Sequence, residues 1–264
     1  METVDVQGLR IAFERSGAGP PVLLLHGGLA DHREWSAQQA LADEFTVVAW
    51  DAPGCGRSSD PPASFGMPDY ADALTGFIRA VGIDRPHVVG LSFGATLALE
   101  LQRRAPGTAR TLVLASAYAG WAGSLPAAVV AERLASSLAL LDQSPPALAE
   151  AFVETLLSDS APPEHTEAVR KMLLDFHPAG ARTMLHAMAT CDLRAMLGTV
   201  DVPTLLVHGE RDVRSPLHVA TTLHTAIPHS TLTVLPGVGH QCNIEAATAF
   251  TAEVRRFLRS CDAR

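Results

Sequence analysis

At 264 residues, with 47% hydrophobic and 18% charged residues, the chain has the length and composition to bury a sizeable core. Its formal net charge of −8 excludes nucleic acid and anionic membrane as main partners, because both repel an acidic surface. Cys55, Cys191, Cys242 and Cys261 show no C-x-x-C spacing, so neither a zinc site nor a disulfide framework is expected; no apolar run reaches bilayer length.

Met1-Glu2-Thr3-Val4-Asp5 carries no basic segment followed by an apolar one, and a cytoplasmic protein with reduced thiols is expected. Val4, Val6, Leu9, Ile11 and Phe13 alternate loosely around Gln7-Gly8, which predicts an opening antiparallel hairpin. Pro21-Val22-Leu23-Leu24-Leu25 is an unbroken apolar run ending at His26-Gly27-Gly28, as a strand buried on both faces should be. A second such run, Phe45 to Trp50, ends at the glycine-rich turn Asp51-Ala52-Pro53-Gly54-Cys55-Gly56-Arg57-Ser58. Tyr70, Leu74, Phe77, Ile78 and Val81 recur at helical spacing and stop at Gly82, which predicts a crossover helix.

His87-Val88-Val89 then leads into Gly90-Leu91-Ser92-Phe93-Gly94 and the helix-forming run from Ala95 to Leu101. A serine on so tight a strand-to-helix turn needs small residues two before and two after it, and Gly90 and Gly94 supply them. The Phe93 N–H, at the start of the helix, points to where an oxyanion forms. Thr111 to Ala115 predicts the next strand of a parallel sheet. From residue 117 to 198 the chain shows Ala- and Leu-rich helical segments punctuated by Pro126, Pro145-Pro146, Pro162-Pro163 and Pro178. This is expected to be a helical lid covering the sheet's C-terminal edge, inserted into a core made of 1–116 and 199–264. The core resumes with a strand over Val202–Val207, a helix over Leu217–Ala226, a strand over Ser230–Leu235 and a closing helix from Ala246 to Leu258.

A serine hydroxyl needs a base to take its proton, and the base needs a third group to hold its tautomer. His240 follows the last predicted strand in Gly237-Val238-Gly239-His240, and Asp212 follows the strand before it; the chain order serine, acid, histidine is that of elbow-type hydrolases. Glu210 and Asp51 are weighed as other acids and His26 as a ligand, with structural roles preferred for His26 and Asp51. On His26-Gly27-Gly28, Asp51-x-Pro53-Gly54-x-Gly56-x-Ser58, the elbow, Gly209-x-x-Asp212 and Gly239-His240, the chain resembles the α/β-hydrolase superfamily, in its lid-bearing serine esterase, lactonase and C–C hydrolase branch.

That resemblance implies an α/β fold with a mostly parallel central sheet, flanking helices and a helical lid. It implies that Ser92 attacks a carbonyl, His240 serves as base and then acid, and Asp212 orients His240. The amides of Gly28 and Phe93 would form the oxyanion hole, with Leu29 the runner-up to Gly28. No cofactor or metal is implied, the partner is a small-molecule substrate, and monomer or homodimer stays open. Candidate pocket residues are Trp121, Leu138, Phe152, Met184, Met188 and Leu197 from the lid, with Leu29, Trp35, Phe93 and Val213 from core loops. Arg133, Arg170, Lys171, Arg182 and Arg194 are scattered through the lid sequence, which favours a small, mainly apolar ester or lactone. An enol-lactonase or meta-cleavage C–C hydrolase is the alternative, with a lyase, a cyclase or a slow-turnover receptor behind it. His26-Gly27-Gly28-Leu29-Ala30 departs from the His-Gly-Gly-Pro-Gly of proline iminopeptidases, which disfavours peptidase activity.

Overall fold

Successive residues of a strand leave the sheet on opposite sides, so a strand that is apolar throughout must be covered on both faces. The computed structural model, which describes residues 1–262, obeys this rule in its central strands. Val22 and Leu24 pack into one core, while Leu23 and Leu25 pack into the other. Val47 and Ala49 split in the same way from Val48 and Trp50, as do Val113 and Ala115 from Leu112 and Leu114.

The strands are β1 (Glu2–Val6), β2 (Leu9–Ser16), β3 (Pro21–Leu25), β4 (Thr46–Trp50), β5 (His87–Leu91), β6 (Thr111–Ala115), β7 (Thr204–Gly209) and β8 (Ser230–Leu235). They form one eight-stranded sheet in the order β1-β2-β4-β3-β5-β6-β7-β8. β1 and β2 form the expected hairpin, and its turn residues Gln7 and Gly8 have φ of 55° and 83°, the left-handed pair that lets a two-residue turn follow strand twist. β2 runs antiparallel to β4, and all pairings from β4 to β8 are parallel. After β3 the chain builds β4 on one side and β5 on the other, so the sheet's switch point lies at the C-terminal ends of β3 and β5, where open α/β sheets bind ligands.

Helices α1 (Met67–Ala80) and α2 (Phe93–Arg104) cover one face. The opposite face is covered by a 3-10 segment, His32–Asp43, and by the last helix, Ala247–Asp262, whose Phe250, Val254 and Leu258 recur every fourth residue and are all buried. The 3-10 segment has no helical apolar stripe to announce it. It is started by Asp31, whose carboxylate accepts the Arg33 N–H at 2.9 Å, a cap that satisfies one orphan donor.

Between β6 and β7 run α3 (Ala127–Leu141), α4 (Pro145–Leu156), α5 (Pro163–Leu174) and α6 (Pro178–Thr190), followed by a 3-10 turn, Arg194–Thr199. Pro145, Pro163 and Pro178 occupy first helical turns, where proline's missing N–H costs nothing. After β7 come α7 (Leu217–Ala226), α8 (Cys242–Glu245) and the closing helix, α9 (Ala247–Asp262). The four-residue α8 is too short to leave a periodic signature. A backbone bond ties the insert to the loop after β8, the Gln241 N–H donating to the Leu156 carbonyl at 2.9 Å, and another closes the insert on itself, the Leu193 N–H donating to the Ala119 carbonyl at 2.9 Å. Among the described residues no helix is long and apolar enough to cross a membrane.

Candidate active site

β5 ends in Leu91, and the chain reverses into α2 through a single residue, Ser92, with φ 53° and ψ −104°. A non-glycine residue in this region carries strain of roughly 1–3 kcal/mol, held in place only by surrounding constraints. Those constraints are visible here. The Ser92 N–H donates to the Ala115 carbonyl at 2.9 Å, and the Ser92 carbonyl accepts the Thr96 N–H at 3.0 Å. A Cβ on Gly90 would stand 2.3 Å from the Gly94 carbonyl oxygen, and one on Gly94 would stand 2.1 Å from the Leu25 carbonyl oxygen. Both glycines are therefore required by close backbone approach, as expected of this turn.

Asp212 and His240 come together through a second close approach. A Cβ on Gly209, the last residue of β7, would lie 2.1 Å from the Gly239 carbonyl oxygen, so the two loops touch backbone to backbone. The Arg211 N–H donates to the Val238 carbonyl at 2.8 Å. Asp212 Oδ2 and His240 Nδ1 are 2.8 Å apart, and both side chains are buried. Asp212 Oδ1 accepts the N–H groups of Arg214 and Ser215 at 2.9 and 2.8 Å. Burial alone would push this carboxyl up, but His240 and the Ser215 N–H hold it below its usual value, so it stays ionised and fixes the proton of His240 on Nδ1. The His240 carbonyl is in turn anchored by Ser116 Oγ at 2.7 Å. Ser92, Phe93, Gly28 and His240 all line one cavity.

The other weighed residues have structural partners. Glu210 accepts the Gly237 N–H at 2.8 Å at the surface. His26 Nε2 accepts the Ala52 N–H at 2.9 Å, and Asp51 accepts the N–H groups of His32 and Arg57 at 2.8 and 2.9 Å. Cys55 and Cys242 are buried and do not line the cavity; burial pushes the Cys242 thiol up to about 12, which removes the reactive thiolate.

The cavity, about 560 Å³ counting the part open to solvent, lies between the strand ends and the insert. Leu29, Trp121, Phe152, Met184 and Met188 line it, joined by Leu156 and Leu185. Trp35, Leu138 and Val213 do not. Trp35 lies under the opposite face of the sheet against Phe250, although its neighbour Glu34 on the same 3-10 segment reaches the cavity. Leu138 packs half-buried on α3 against the core, Leu197 is buried in that core, and Val213 is 66% exposed on the outer side of the acid loop. In each case the sequence places the residue near the site but not which way its side chain leaves the backbone.

Three polar cavity residues, Glu34, Gln241 and Arg214, were not among the sequence candidates. Glu34 is buried, accepts the Gly27 N–H at 2.7 Å and accepts from Gln241 Nε2 at 2.9 Å. Burial, with Asp31 adding to it against these two hydrogen bonds, pushes its carboxyl up to about 8. Glu34 therefore buttresses the loop that holds Gly28 and is bonded to the residue after His240. The only available sequence signal was a carboxylate beside a tryptophan. Arg214 is joined by Arg133 from α3, whose Nη2 donates to the Arg214 carbonyl at 3.0 Å; their separation of 81 positions hides the pair from any local motif.

A family model described as the alpha/beta hydrolase fold matches residues 20–247, and the chain belongs to that family. It is 30% identical over 244 residues to a putative carbamate hydrolase, RutD, of Cronobacter turicensis, covering 89% of each chain. It is 29% identical to a 2-hydroxymuconate semialdehyde hydrolase of Pseudomonas sp. strain CF600, covering 97% of this chain and 93% of that one. A thermophilic esterase from Thermogutta terrifontis superposes with a TM-score of 0.91 at 28% identity over 99% of both chains. The chain is thus a hydrolase of the α/β-hydrolase family.

Proposed function

We propose that this protein is a cofactor-independent serine hydrolase that cleaves a small carboxylic ester or lactone through an acyl-enzyme. The observation that supports this most is the convergence of Ser92, held at a strained turn, with a buried Asp212–His240 pair on one cavity. With Nδ1 bonded to Asp212, His240 offers Nε2 as base. Ser92 Oγ attacks the carbonyl carbon as its proton passes to Nε2, and the oxyanion is met by the amides of Gly28 and Phe93. Nε2 then protonates the leaving oxygen. Water, deprotonated by the same nitrogen, attacks the acyl-serine, releases the acid and returns the proton to Ser92. Leu156, Phe152, Met184 and Met188 give the acyl or alcohol group an apolar wall.

Ser92→Ala tests the reading: fluorophosphonate labelling of the wild-type protein is expected at Ser92 and is lost in the variant, with ester turnover falling about 10⁶-fold. Labelling that persists at another residue overturns it. An enol-lactonase or C–C hydrolase is the second reading, favoured by a cationic side chain in the cavity wall, Arg214; comparing 4-nitrophenyl butyrate with a meta-cleavage dienoate separates the two.

A further inference from the structure

Several arginines of this molecule are paired with carboxylates: Arg103, Arg104 and Arg110 each hold one within 2.5–2.6 Å. Arg214 lines the cavity, Arg133 borders the outer groove beside it, and neither makes an ion pair with any described residue. Arg214 is half-buried, lines the cavity, donates from Nη1 to Thr155 Oγ1 at 2.9 Å and lies 5.3 Å over the Phe152 ring. Its other guanidinium N–H donors have no protein acceptor. Arg133 sits behind it, donating to the Tyr118 hydroxyl at 3.0 Å and lying 5.4 Å over Trp121.

The carboxylates close by are committed or neutral. Asp212 has both oxygens occupied by His240 and by backbone N–H groups. Glu34, on the same cavity wall, is held protonated near neutral pH by burial. Glu132, on the outer groove that Arg214 also borders, pairs with neither arginine. Burial pulls the Arg214 pKa down, with Tyr118 and Asp212 opposing and Arg133 reinforcing. An arginine nevertheless stays charged, so the wall carries a half-buried cation with no ion-pair partner among the described residues. Such a charge is costly until an anion meets it.

We propose that Arg214 is an anchor for a substrate carboxylate, so that the esters or lactones this cavity selects carry a free carboxylate in their acyl or alcohol half. The planar guanidinium fork matches a carboxylate in two-point contact. A single cation on the cavity wall balances one charge, which fits a carboxylate better than a phosphate dianion. This specifies the substrate class of the site read above as a serine hydrolase, and rests on that reading.

The test compares kcat/KM for mono-4-nitrophenyl adipate with that for 4-nitrophenyl hexanoate, and for 4-acetoxybutanoate with that for butyl acetate. The two pairs place the carboxylate in the acyl half or in the alcohol half. In Arg214→Met the charged-to-neutral ratio is expected to fall roughly 10- to 100-fold in one pair, and Arg214→Lys retains part of it. A ratio unchanged in both pairs overturns the anchor, and because it is a ratio, a general loss of folded enzyme does not mimic the result. If no ester is cleaved by the wild-type protein, the hydrolase reading fails. Calorimetry then decides the anchor separately: 6-oxoheptanoate is expected to bind more tightly than its neutral amide by the same factor, a preference lost in Arg214→Met, and equal binding of the two overturns it.

Discussion

The strand-end loops and the helical insert build opposite walls of one cavity by different means. On the sheet side, β3, β5, β6 and β7 are almost wholly buried, and Ser92, Asp212 and His240 are placed by backbone contacts too close to admit a Cβ. On the insert side the wall is supplied by α4 and α6, from which Phe152, Leu156, Met184, Leu185 and Met188 reach the cavity. Much of that wall is side chain, much of it flexible methionine and leucine. Chemistry that fails with a displacement of an ångström sits on the rigid wall, while shape, which tolerates adjustment, sits on the adaptable one.

That division is open to attack at graded strength. Asp212→Asn keeps the loop but presents the wrong tautomer of His240, and kcat is expected to fall on the order of 10⁴-fold with little change in the melting curve. A loss under tenfold would remove Asp212 from its role. Gly94→Ala forces a Cβ against the Leu25 carbonyl oxygen, 2.1 Å away, and is expected to cost about 3 kcal/mol in urea unfolding; an unaffected midpoint would show that the sheet wall yields.

Glu34→Gln probes the buttress between the walls. With its pKa raised to about 8, folded Glu34 holds a proton that the unfolded chain has already released, so stability falls as pH rises from about 4.5 towards 8. The substituted amide cannot titrate, and it turns a donor towards Gly27 or Gln241. The variant should therefore be less stable by about 1–3 kcal/mol at pH 5 but lose less between pH 5 and 8, as read from unfolding midpoints across that range; parallel curves would refute the shift. The smallest effect is expected on the insert. Met188→Leu conserves volume and should change relative kcat/KM across an acyl chain-length series by less than about tenfold. A collapse of turnover on every substrate would mean that the insert wall is as exacting as the other.

The same contrast explains what was legible in the sequence. Buried strands spell themselves out as apolar runs, so Pro21–Leu25 and Thr111–Ala115 coincide with the observed strands, and catalytic candidates follow because they occupy the loops just beyond such strands. The 3-10 segment His32–Asp43 has no periodic stripe, and its Trp35 and Glu34 point to opposite sides. The direction in which a side chain leaves such a segment depends on caps and kinks, not on spacing. For the insert, helices are readable but their rotation is not. Met184, Met188 and Phe152 reach the cavity while Leu138 does not, although all four are apolar residues on helices.

The left-handed backbone of Ser92 also bears on selection at this position. Glycine adopts φ of 53° without the penalty that a side chain incurs, so Ser92→Gly is a substitution that relaxes the fold while deleting the proposed nucleophile. A library screened for heat resistance alone should enrich it, and a library screened for turnover should eliminate it. The best residue for the polypeptide and the best residue for the enzyme are different there, and serine persists only where activity is what is being kept.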